Sequence, residues 1–355
     1  MRRRRFLKTG GTAGFVGTLA LAGCQGNGDG TDDEADNGTT DAGDGTGDGS
    51  GGGTAAPYAK WVYESAYEGA EDPGINAISL RYQTLSESSS DDGDGGESET
   101  PDDPLIGVTA SYLIGAALAI GFGVGAAPIG DAGEEGGPTE IATVASGGTI
   151  LEGAYDPDAI GTAIEEADGS TVGTDGDYTL YETTGLATQT IAVSEDAIIG
   201  ASEGNSVSDP ETRVGEIIDT QTGDVTPYAE QDDDFAALAS ALPERDLMGI
   251  QYLPDGNVFE VEDSGEGSEG DSEFAGPSDL GLSGTARGIA LSTSIDSEAQ
   301  SLTTSMAIKY ASADEADDRA TVESALGTEA TDRSVTVDGD TIIVEGTYDE
   351  SVSRS

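Results

Sequence analysis

The sequence predicts an α+β fold, mainly antiparallel sheet with packed helices, carried behind a disordered tether. Three observations predict it. Apolar and polar residues alternate over short runs, as in Ile289, Leu291, Thr293 and Ile295, and again in Leu302, Thr304, Met306, Ile308 and Tyr310. That is the period of a strand with one buried face. Between such runs, proline-led segments carry apolar residues at helical spacing. Finally, Asp338-Gly339 separates two strand-like runs, the strongest hairpin signal in the chain, and a hairpin pairs its strands antiparallel.

Residues 1–24 come first in order. They hold an arginine cluster, a short apolar run and then Leu21-Ala22-Gly23-Cys24. A positive start, a short apolar middle and small residues before the cut describe a secretory signal rather than a spanning helix. Arg3, Arg4, Phe6, Leu7 and Lys8 resemble the twin-arginine export motif, and the tetrapeptide ending at Cys24 resembles a lipobox. The resemblance to twin-arginine-exported lipoproteins implies that Cys24 is lipidated and becomes the mature N-terminus. It implies membrane lipid as a partner, and a protein at the cell membrane facing the extracellular side.

Residues 25–56 form the tether. Gln25–Thr54 contains eleven glycines and eight acids, with alanine as its only apolar type. Such a stretch buries too little to offset its ordering entropy, and as a Gly-rich coil it reaches roughly 30 Å. Asn37-Gly38-Thr39 within it is a glycosylation sequon.

A first α+β portion is expected over 57–254. Tyr58, Trp61, Tyr63 and Tyr67 gather aromatics at its start, read as packing against the first sheet, and Ile78, Leu80 and Tyr82 alternate as a strand. Ser86–Asp103 reads as a polar surface loop. The uncharged stretch 104–130 follows, with Gly107, Ser111, Gly115, Ala119, Gly123 and Ala127 at every fourth position. It is long enough to cross a bilayer, yet acids flank both ends and no Lys or Arg marks a cytoplasmic side. A glycine-ridged helix packed on the sheet is expected, against a membrane span or a helix–helix dimer face.

Thr149–Tyr155 reads as a strand, and Asp156-Pro157-Asp158 opens a helix whose face holds Ile160, Ala163, Ile164 and Ala167. Ile191–Val193 and Ala197–Ile199 form a hairpin. Ser208-Asp209-Pro210-Glu211 caps a helix with Val214, Ile217 and Ile218 on one face. Phe235, Leu238, Ala239 and Leu242 give another helix, and Leu247–Leu253 another strand. An acidic loop is expected over 255–284.

The second α+β portion, 285–350, contains the two alternating runs already described. Ser312-Ala313-Asp314-Glu315 is a capping box before a helix through Leu326, stopped by Gly327. The hairpin at Asp338-Gly339 closes it. Strand, helix and hairpin thus occur near 149–199 and near 302–344, either as an internal duplication or as two halves sharing a common unit.

Charge narrows the function further. The chain carries 14 Lys and Arg against 70 Asp and Glu, a net of −56. Five of the basic residues, Arg2 to Arg5 and Lys8, precede Cys24, which leaves nine against 70, or −61. This balance is similar to that of haloarchaeal proteins, whose surface repulsion is screened over roughly 3 Å in molar salt. It argues against nucleic acid, which demands clustered Lys and Arg. There is no histidine, and Cys24 is the only cysteine. The absence of histidine excludes His-based triads and His metal sites. With Cys24 given to lipid, as the lipobox resemblance implies, no disulfide, thiolate nucleophile or Cys zinc site is expected. No GxxxxGK, SxxK or GxSxG occurs, and the GxGxxG at Gly47, Gly49 and Gly52 falls in the tether.

Acid runs such as Asp91-Asp92-Gly93-Asp94 and Asp232-Asp233-Asp234 lack EF-hand spacing and read as surface charge, while Asp156 and Asp158 read as caps. No catalytic residue, metal ligand or cofactor is expected. The reading is therefore a non-enzymatic, lipid-anchored surface protein of a halophilic archaeon, in a structural or interaction role. The alternative is a solute-receptor-like lipoprotein of an importer, and a third is a carboxylate-based hydrolase. No protein or small-molecule partner is named by the sequence.

Overall fold

The computed structural model describes residues 56–64, 74–81, 103–110, 112, 139–184, 187–204, 207–258, 285–296, 301–314, 316 and 319–349. Their strands are β1 (Ile75–Arg81), β2 (Thr139–Ala145), β3 (Gly148–Gly153), β4 (Ser170–Asp175), β5 (Tyr178–Thr184) and β6 (Thr188–Val193). They continue as β7 (Ala197–Ser202), β8 (Leu247–Tyr252), β9 (Ala286–Asp296), β10 (Ser301–Tyr310), β11 (Asp332–Asp338) and β12 (Thr341–Asp349). All twelve join one sheet in the order β11-β12-β10-β9-β8-β1-β2-β3-β7-β6-β5-β4. Every neighbouring pair is antiparallel.

The helices are α1 (104–110, with Tyr112 also helical), α2 (Pro157–Glu166), α3 (Pro210–Thr222), α4 (Asp233–Ala239) and α5 (Arg319–Ala325). Short 3₁₀ turns occupy Pro57–Trp61 and Tyr228–Glu230. Side chains alternate across a sheet, and here both faces are covered. One face meets the first 3₁₀ turn, α3 and α4, with Trp61, Ile199, Val214, Phe235 and Tyr252 in its core. The other meets α1, α2 and α5, and its core falls into two clusters. Leu105, Val108, Leu291, Met306 and Val344 belong to one, and Leu80, Ile160, Ile164 and Ile198 to the other.

Two meanders build the middle of the sheet. β1-β2-β3 run outward on one side and β8-β9-β10 on the other, and β1 pairs with β8 at the centre, Ile78 opposite Gly249. From β3 the chain passes through α2 to the edge strand β4 and returns through β5, β6 and β7 to pair with β3. From β10 it passes through α5 to the edge strand β11 and returns as β12 to pair with β10.

Local chemistry explains the elements. Asp156 and Asp209 are extended N-caps whose carboxylates accept from Ala159 and Thr212 amides, each followed by proline at the first helical position. Proline loses nothing there, because that amide has no helical partner. The β11–β12 turn puts Gly339 at φ +59°, and the β4–β5 turn puts Gly176 at φ +55°. Such backbone suits a tight hairpin and costs glycine nothing.

Several expectations are corrected. β9 and β10 are buried on both faces, not one: Ala290, Ser292, Ser305, Ala307 and Lys309 are as enclosed as Ile289, Leu291, Met306 and Ile308. Helices on both sides require this. Ile295, in contrast, is exposed beyond the end of that cover. The segment between the box at 312–315 and Arg319 lies partly outside the described residues. Within it the Ala316 amide donates to the Ser312 carbonyl, and the described helix is α5, Arg319–Ala325. Ala167 is the exposed C-cap of α2 rather than part of its apolar face. α4 ends at Ala239, although Leu242 is still buried. The hairpin β4–β5 was not anticipated.

Candidate functional site

The buried carboxylate among the described residues is Asp103, at the head of α1. It belongs to a segment expected to be surface loop, yet only 1% of it is exposed. Its Oδ1 accepts from the amides of Leu105 and Gly327, both at 3.0 Å. Its Oδ2 accepts from the Glu329 amide and the Tyr348 hydroxyl, also at 3.0 Å. One carboxylate thereby ties the start of α1, the loop after α5 and strand β12. Burial, followed by the neighbouring Asp103 charge, pushes the Tyr348 hydroxyl well above its usual value, so it stays a donor. A buried carboxylate is costly unless its lone pairs are filled, and here four donors fill them.

Below it, α1 meets the sheet through both apolar and hydroxyl contacts. Leu105, Val108 and Thr109 are buried, while Gly107 of the expected ridge is only half-buried. The remainder of the ridge, from Ser111 onward, lies outside the described residues. Thr109 Oγ1 lies 3.0 Å from Thr304 Oγ1, which lies 2.9 Å from Thr293 Oγ1. Tyr112 lies over Gly249 of β8, where a Cβ would stand 2.5 Å from its ring.

On the opposite face, Lys309 Nζ sits 2.9 Å from Asp340 and 3.1 Å from Asp234, whose other oxygen meets Arg287 at 2.9 Å. The cluster joins α4, β9, β10 and the β11–β12 turn. Nearby, Asp232 caps α4 by accepting from the Phe235 amide, and it accepts from the hydroxyls of Tyr228 and Tyr252. Arg245 bridges β10 and β12 through Ser305 and Glu345. Of the eight described Lys and Arg, seven form ion pairs. The eighth, Arg333, donates to the carbonyls of Val322 and Glu323 at the end of α5. The scarce cations of this acidic chain are thus spent on joints between elements.

These groups can hold segments together, since Asp103, Asp234, Glu345, Arg245, Arg287 and Lys309 each have a partner on another element. A concavity among the described residues, lined by Pro57, Arg81, Ile141, Glu244, Asp246 and Met248 among others, has a volume of about 10 Å³, room for about one water. Among the described residues, no group of three or more His, Cys, Asp or Glu is placed to hold a metal, and no helix is long and apolar enough to cross a membrane.

Of the residues singled out in the sequence, Arg3, Arg4, Phe6, Leu7, Lys8, Cys24 and Asn37 lie outside the described residues, as does Asp91-Asp92-Gly93-Asp94. The run Asp232-Asp233-Asp234 is brought into the structural joints just described. Asp156 is a helix cap, its carboxylate accepting from the Asp158 and Ala159 amides. Tyr58, Trp61 and Tyr63 are fully buried against the sheet. Asp103 was missed, although Asp103-Pro104 is the same cap-then-proline pair as Asp156-Pro157 and Asp209-Pro210.

No family model matches the chain, and no curated protein does. Among solved structures, crystal form I of TP0453 is similar at 10% identity and a TM-score of 0.37, over 83% of this chain and 94% of that one. At that level the fold rests on the strand pairing itself.

Proposed function

We propose that the chain is a non-enzymatic lipoprotein of a halophilic archaeal surface, exported by a twin-arginine signal and held outside the cell membrane by lipid on Cys24. Its part is structural or interactive, played by a rigid antiparallel domain on an acidic tether. The observation that carries the reading is the ordered pair of motifs, Arg3-Arg4 with Phe6-Leu7-Lys8, then Leu21-Ala22-Gly23-Cys24. In support, the described charged groups serve as joints between elements. The test is fractionation: wild-type chain should sediment with membranes, and Cys24→Ser should leave them. A variant that stays in the membrane fraction after a high-salt wash contradicts the proposal.

The same reading includes two similar units. Their support is the shared route of strand, helix, edge strand and return, taken by β3 through α2 and by β10 through α5. The first return has four strands and the second two, so the units differ in length. Separate expression of residues 245–350 tests this: a unit with its own core gives a cooperative unfolding transition in molar salt, and a fragment without one does not.

A further inference from the structure

We infer that residues 56–63 are a force-carrying joint, through which a pull on the preceding chain enters the middle of the twelve-stranded sheet rather than an edge. The inference rests on the reading that this preceding chain is a tether held at Cys24; the contacts themselves do not depend on it. Three observations carry it. First, the segment is fastened to five separate elements. The Ala56 amide donates to the Ala239 carbonyl at the end of α4, and the Tyr228 amide of the second 3₁₀ turn donates to the Val62 carbonyl at 2.7 Å. Ser146 Oγ, in the β2–β3 turn, donates to the Trp61 carbonyl, and the Trp61 indole donates to Glu152 of β3. The Tyr63 hydroxyl donates to Glu216 of α3 and accepts from Arg213 of the same helix.

Second, the side chains of the segment are sealed in: Tyr58, Trp61, Val62 and Tyr63 are 0% exposed. Aromatic side chains bury roughly 150–250 Å² each, so peeling the segment away returns a large apolar area to water. Two of the eight described Lys and Arg serve the same place. Lys60 pairs with Glu152 and lies over the Trp61 ring, and Arg213 lies over the Tyr63 ring. Third, the next described strand is β1, sixth of the twelve and bonded to β2 on one side and β8 on the other. A pull on β4, paired in the described sheet with β5 alone, breaks one rung after another. At residues 56–63 the fastenings on five elements are strained together, which slows forced unfolding, a process governed by the unfolding rate.

Single-molecule pulling on the full, unlipidated chain in molar salt tests the joint. One handle is the Cys24 thiol, and the other is a second thiol introduced by Glu195→Cys in the β6–β7 turn. Peeling of residues 56–74 ahead of the sheet adds at most roughly 65 Å of chain, whereas rupture of everything between the joint and position 195 adds roughly 450 Å. The expected result is the long step with no short step before it. Trp61→Ala should bring the short step in, and Tyr63→Phe should lower the force of the long one. The inference is overturned if the wild-type joint gives the short step first, or if Tyr63→Phe leaves the rupture force unchanged. Should Trp61→Ala fail to fold, the other two traces decide. Lipid plays no part in this measurement, so a negative result leaves the reading of Cys24 standing.

Discussion

The Tyr348 hydroxyl donates to Asp103 Oδ2 at 3.0 Å across 245 positions of sequence. It joins the last strand in the chain to the head of a helix that precedes eleven of the twelve described strands. The same carboxylate takes three amides, so its loss and the loss of the hydroxyl should differ in size. Tyr348→Phe removes one bond to a charged group and should cost about 2 kcal/mol. Asp103→Ala strands donors in three segments, α1, the loop after α5 and β12. At about 1–3 kcal/mol for each buried donor left unsatisfied, it should cost clearly more. Denaturant midpoints in molar salt measure both. Equal losses would show that Asp103 is not the shared acceptor described.

A second prediction uses Gly249. A methyl there would stand 2.5 Å from Cδ1 of Tyr112, so Gly249→Ala should cost about 1–3 kcal/mol through overpacking. Adding Tyr112→Ala should recover part of that loss, because the clash has one partner. A double-mutant cycle with no coupling between the two sites would displace Tyr112 from β8.

The Lys309 cluster predicts a pH window. Burial alone would raise the Asp234 carboxyl, but Lys309 and Arg287 hold it below its usual 3.8. Its contribution is present above 3.8 and is lost as pH falls through the lower folded value. Burial alone would lower Lys309, but bonds to Asp340 and Asp234 keep it above 10.5. Its contribution is present below 10.5 and is lost as pH rises through the higher folded value. The stability gap between wild type and Lys309→Met should therefore be flat between those limits and narrow outside them. A gap that persists unchanged into acid and alkali would mean that the ion pairs contribute nothing.

Salt should govern folding itself. With nine basic residues against 70 acids after Cys24, repulsion opposes closure until counterions screen it. Circular dichroism in molar KCl should show a mixed, sheet-rich spectrum that collapses toward coil on dialysis. An unchanged spectrum in dilute buffer contradicts the salt-adapted reading.

The sequence was most readable where one face of an element was apolar and its ends carried turn chemistry. Val214, Ile217 and Ile218 behind Asp209-Pro210 became α3, and Val193 pairs with Ile198 in the expected hairpin. It was least readable where burial is written in small residues. On β9 and β10 the second buried face consists of Gly288, Ala290 and Ser292, then Ser305, Ala307 and Lys309. Alternation scores these as polar or neutral, so a sheet covered on both faces looked half-exposed. β4 is exposed almost throughout and offers little apolar pattern, although Asp175-Gly176 repeats the dipeptide that revealed β11–β12. Asp103 was hidden differently. Its burial comes from Gly327, Glu329 and Tyr348, more than 220 positions away, which local spacing does not encode.

The central claim is the lipid on Cys24, and intact-mass spectrometry of the membrane-extracted protein tests it most directly. The account predicts a chain that begins at Cys24 and carries additional lipid mass. A chain found with residues 1–23 still attached, or with an unmodified Cys24, would contradict it.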